Sequence, residues 1–220
     1  MKIQGFLDHL LKSAQGSGNT GDTAPSPSGL GGVLNADFGK GALAGGALGL
    51  LLGKNKTTRK LATYGGLAAI GVMAYKAYGE YQQQQGAAGG SVQPQTLDRL
   101  PPPQVELHSQ AILKALVAAA KADGHIDTRE RQVIEGEFSR INQDAELQQW
   151  LHAELEKPLD PAEVARAAST PEIASEMYLA SLMAADEQNF MERAYLDELA
   201  RQLKLDDALK LKLEQQIRPA

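Results

Sequence analysis

The chain has no cysteine. That excludes a disulfide framework, a cysteine zinc site and thiol catalysis. Aromatic residues are scarce, at 5% of 220, which argues against a stacking platform for single-stranded nucleic acid. Basic residues are in the minority where a folded domain is expected. Residues 105–220 hold 13 Lys+Arg against 22 Asp+Glu, and phosphate contacts need clustered Lys and Arg. No nucleic-acid partner is expected. Glycine is nearly absent from that half: only Gly124 and Gly136, of 22 in all, lie beyond residue 90. No Ser/His/Asp arrangement, Walker loop or nucleotide-binding Gly loop occurs.

What is present divides into five stretches. Residues 1–12, MKIQGFLDHLLK, place Ile3, Phe6, Leu7, Leu10 and Leu11 on one helical face. Asp8 and His9 interrupt any signal-peptide core. Such a short amphipathic helix needs a membrane surface or a partner to persist. Residues 13–37 are rich in Ser, Gly, Thr and Pro at first and read as a flexible linker.

Residues 38–80 are apolar and Gly-rich. Gly41, Gly45, Gly49 and Gly53 recur at every fourth position. In a water-exposed helix each glycine costs roughly 1 kcal/mol relative to Ala. In lipid the same stripe lets two helices approach closely, so self-association through it is expected. Lys54, Lys56, Arg59 and Lys60 form a basic turn, and a second apolar run follows over residues 61–75. Residues 41–53 rise only about 20 Å as a helix, against a hydrocarbon core of about 30 Å. Residues 61–78 are therefore the better candidate for a single transmembrane span, with residues 41–53 as a half-inserted or hairpin partner. Residues 81–104 read as a Gln/Gly/Pro linker, stiffened at Pro101–Pro103.

Residues 105–220 read as an all-α bundle of six or seven helices. Apolar residues recur at helical spacing, and capping residues punctuate them. Asp127 with Glu130, and Asn189 with Glu192, have capping-box spacing. Asp160-Pro161 and Thr170-Pro171 place a capping residue before a proline at the first helical position. Residues 113–138 and 178–203 echo one another: an apolar helix, Ala-Asp, a short loop, then a glutamate opening a second helix. An EF-hand register from Asp123 fails, with glycine at position 2 and Ile134 at position 12. His108 and His152 stand alone on helices and carry no expected catalytic role.

The segments AAAKADGHIDTRERQVIEGEF (118–138) and AADEQNFMERAYLDELARQLKL (184–205), with the GALAGG–basic–apolar arrangement before them, resemble the YebE-like family. The resemblance implies a bacterial inner (cytoplasmic) membrane protein with a C-terminal bundle of the tellurite-resistance TerB-like kind. It also implies membrane-associated stress complexes, with the bilayer and unidentified proteins as partners, and metal binding through acidic loops. Carried onto this chain, the candidate ligands are Asp123, Asp127, Glu130, Asp186 and Glu192. An all-oxygen set suits Ca²⁺ or Mg²⁺ better than Zn²⁺. The second loop lacks the first loop's glycine and second aspartate, having Glu187-Gln188-Asn189 instead. Helix capping alone also explains the acid spacing. The leading expectation is a membrane-anchored, non-enzymatic interaction protein. Its rival is a soluble acid–base hydrolase with a pocket among Asp123, Asp127, Asp186 and Glu187.

Overall fold

The computed structural model describes residues 3, 67–84, 94–122, 126, 128–141, 144–185 and 189–217. Among these there are eight α-helices and no strand. They are α1 (Leu67–Gln84), α2 (Pro102–Ala120), α3 (Thr128–Ile141), α4 (Ala145–Glu156), α5 (Pro161–Ala165), α6 (Pro171–Ala184), α7 (Phe190–Gln202) and α8 (Asp207–Ile217). A single 3-10 turn, Leu97–Arg99, precedes α2. Seven of the helices thus lie from Pro102 onward, in keeping with the bundle expected there.

The helix starts follow local chemistry. Asp144 accepts the N–H groups of Glu146 and Leu147 at 3.0 and 3.2 Å. Asp160 accepts from Ala162 at 2.9 Å, Thr170 from Ile173 at 3.3 Å, and Asn189 from Met191 at 2.9 Å. Each satisfies an N–H that lacks a partner within its helix. Pro102 and Pro103 differ from the expectation of a stiff linker. They occupy the first positions of α2, where a missing N–H costs nothing and the fixed φ suits the helix.

Helix α6 is the centre of the bundle. Every residue from Ile173 to Ala184 is buried, so α6 is covered on all sides rather than along one stripe. It packs on α2, α1, α8 and α7. From α2 come Ile112, Leu113, Leu116 and Val117; from α7, Tyr195, Leu196 and Leu199; from α8, Leu209, Leu213 and Ile217. Helices α2 and α6, the first members of the two echoed hairpins, form the most extensive helix pair.

The core also extends N-terminal to Val105, the expected start. Helix α1 buries Ile70, Met73, Ala74 and Ala77 in the same cluster, and Thr96 and Leu97 are buried beside it. Its Glu80 pairs with Lys212 of α8 at 3.7 Å. Among the described residues no helix is long and apolar enough to cross a membrane. Residues 67–78 of the expected span instead lie in a helix packed on α6 and α8. The reason is visible in α1 itself: Lys76 and Glu80 follow the apolar run within the same helix, and the small residues Ala74 and Ala77 permit close contact with protein. The stripe Gly41–Gly53, and residues 1–12 apart from Ile3, lie outside the described residues.

Candidate functional site

The one charged residue between Ile173 and Ala185 is Glu176. Its position on a helix covered all round forces it inside, at 0% exposure. An isolated carboxylate there is costly, so partners are required. Oε2 lies 2.5 Å from Nδ1 of His108 on α2, itself buried. Oε1 accepts the Leu97 N–H from the 3-10 turn at 2.5 Å. Burial pushes the Glu176 carboxyl above its ordinary range; the hydrogen bond and charge of His108 and the Leu97 N–H oppose this, while nearby Asp98 adds to it.

The 3-10 turn extends the arrangement toward α1. The Thr96 hydroxyl donates to Asp98 Oδ1 at 2.7 Å. Arg99 pairs with Asp98 at 3.4 Å and sits 3.8 Å over the centre of the Tyr75 ring, a cation–π contact with α1. At Gly71 the turn comes close enough that a Cβ would stand 2.8 Å from the Asp98 backbone nitrogen. Gly71 belongs to the Gly-rich stretch 38–80, expected to associate with a membrane. Its observed neighbour is this turn.

Two further clusters tie helices together. Lys121 donates to the carbonyls of Glu154 at 2.9 Å and of Lys157, closing the C-terminus of α4, and its burial lowers its ammonium pKa. Lys114 pairs with Glu163 at 2.8 Å, and this hydrogen bond holds that carboxyl below its usual value. On the surface, His152 of α4 meets Glu135 of α3 at 2.7 Å and Glu156 at 3.7 Å. Arg131 reaches Glu156 at 3.3 Å.

Of the acids expected to bind metal, Asp123, Asp127 and Asp186 lie outside the described residues, as does Glu187. Glu130 falls in the first turn of α3, with its side chain outside the description. Glu192 is buried in the first turn of α7, behind the Asn189 cap. Among the described residues no group of three or more His, Asp or Glu is placed to hold a metal ion. The Glu176–His108 pair was not anticipated. Its signal was one carboxylate in the otherwise uncharged stretch 173–185, which must find a partner inside.

These observations define a small all-helical bundle whose buried ionisable groups join one element to another. The chain belongs to the family described as proteins of unknown function DUF533, a TerB-like family, whose model matches residues 37–217. It is 34% identical, over 114 residues, to the "Uncharacterized protein in ampR 5'region" of Yersinia enterocolitica, covering 52% of this chain and 82% of that protein. No solved structure matches the chain.

Proposed function

We propose that this chain is a non-enzymatic interaction protein tethered to a bacterial inner membrane, with the helical bundle as its partner-facing module. The observation that carries this reading is the place of α1. Because α1 buries Ile70, Met73, Ala74 and Ala77 in the bundle, the Gly-rich run leads almost directly into the folded core. Whatever that run attaches to is held close to the bundle. The family match begins at residue 37, so it takes in the Gly-rich run with the bundle, which supports treating them as one unit.

The tether then falls on residues 41–60 rather than 61–78. Residues 41–53 carry no charge, and Lys54, Lys56, Arg59 and Lys60 follow. At about 20 Å as a helix the apolar part is shorter than the hydrocarbon core. It lies in the membrane interface, with its basic neighbours on anionic headgroups of the cytoplasmic leaflet. The test is fractionation of cells expressing the full chain. We expect it in the membrane pellet, and we expect deletion of 41–60 to move it to the supernatant. A full-length chain found entirely in the soluble fraction overturns the proposal.

A further inference from the structure

Residues 94–100 run between α1 and the centre of the bundle. On one side, Asp98 closes over α1 at Gly71, and Arg99 covers Tyr75. On the other, the Leu97 N–H is held by Glu176 of α6, whose second oxygen is engaged by His108 of α2. Thr96 and Leu97 are buried between them. One ionisable pair therefore connects three elements: the turn, α2 and α6. We propose that residues 94–100 form a strap that locks α1 against α6, and that the buried Glu176–His108 pair is its proton-controlled latch. The inference does not depend on the membrane tether.

The geometry explains why a proton matters. With Oε2 and Nδ1 at 2.5 Å, one proton shared between them leaves a neutral or mutually compensated pair. Removing it leaves an anion in the interior, held only by hydrogen bonds from the His108 ring and the Leu97 N–H and facing Asp98, a second carboxylate. No other described charge takes the place of that proton. Arg99 is engaged by Asp98. On α8, Lys210 lies 2.7 Å from Asp197 and 3.9 Å from Glu214, which also accepts from Tyr178. On α1, Glu80 pairs with Lys212. From α7 the buried ionisable groups are Glu192 and Tyr195, neither of which supplies a cation.

The direction follows from the carboxylate. Burial raises its pKa above the ordinary 4.5, so the strapped state favours the protonated acid. The latch is at full strength below that ordinary value and weakens as pH rises through the raised one.

Hydrogen–deuterium exchange on the full chain tests this at about pH 5 and about pH 8, with rates corrected for the intrinsic pH dependence. In the wild type, peptides covering residues 94–100 and α1 should lose protection at the higher pH. Peptides from α4 and α7 should hold theirs. Glu176→Gln keeps an acceptor for Leu97 and a donor for His108 but cannot ionise, so its strap should respond little to pH. Gly71→Ala should loosen the strap at both pH values while keeping the difference between them. The proposal is overturned if wild type and Glu176→Gln respond alike. Should Glu176→Gln not fold, the wild type decides alone: no response confined to the strap and α1, or uniform loosening of the whole bundle, overturns it.

Discussion

Lys204 shows how much a single backbone angle decides. It follows α7 with φ 55°, the one positive value of a non-glycine among the described residues. The turn is a Schellman motif: the N–H of Leu205 reaches the carbonyl of Ala200 at 3.1 Å, and that of Lys204 the carbonyl of Arg201 at 3.1 Å. The motif needs a left-handed residue, and a Cβ there is strained. Lys204→Gly should therefore stabilise the fold by about 0.5–1 kcal/mol, after the added freedom of the unfolded chain is subtracted. A thermal melt should rise by about 1–4 °C. Asn189 offers the opposite case. Its side chain accepts the Met191 N–H at 2.9 Å, so Asn189→Ala should cost about 1 kcal/mol in urea unfolding. Because that loss comes from a cap, it should be the same with and without millimolar Ca²⁺ or Mg²⁺. A loss that appears only with the cation present would assign a ligand role instead.

At the scale of elements, α3 depends on its neighbour. It packs on α4, and its polar ties there run through His152, Glu135, Glu156 and Arg131. The hydrogen bond to Glu135, then the charges of Glu156 and Glu135, raise the His152 pKa above its ordinary 6.5. A raised histidine contributes its stability fully below the ordinary value and loses it as pH rises through the folded one. Amide exchange in α3 should accelerate above neutral pH more than in α6, and His152→Gln should flatten that difference. The imidazole is exposed, so the effect is confined to local opening and is weakened by salt. Lys121 acts differently, since its ammonium caps carbonyls at the end of α4 rather than a carboxylate. Lys121→Met should therefore loosen the end of α4 at any pH where the lysine is charged.

For the whole molecule, α1 and the 3-10 turn complete the core that residues 105–220 form. Ile70 and Met73, at 1% and 8% exposure, together with Leu97 at 6%, cover α6 and its neighbours. Each large apolar side chain contributes about 1.5–3 kcal/mol when buried. A fragment starting at residue 105 should unfold at clearly lower urea than one starting at residue 67, by at least about 3 kcal/mol. Equal midpoints would show that α1 is an accessory. The acidic surplus of residues 105–220 is likewise not one continuous surface. Glu176 is interior, Glu163 is held by Lys114, and Glu198 is kept near pKa 2 by hydrogen bonds from Arg201 and Gln202.

The sequence by itself determined the helices and their starts from α4 onward. Asp144, Asp160, Thr170 and Asn189 cap through contacts two or three residues away, and such local chemistry is written in adjacent positions. It also marked most of the apolar residues that form the core, because helical periodicity is local too. What only the tertiary structure decided is where α1 goes and whom Glu176 meets. An apolar, glycine-bearing helix is equally suited by lipid and by a protein groove; in the folded chain, α6 and α8 supply the groove. Glu176 lies 68 positions from His108 and 79 from Leu97. No local pattern encodes a partner at that distance. Burial makes a partner necessary, and only the packing of α2 and the 3-10 turn against α6 determines which one it is.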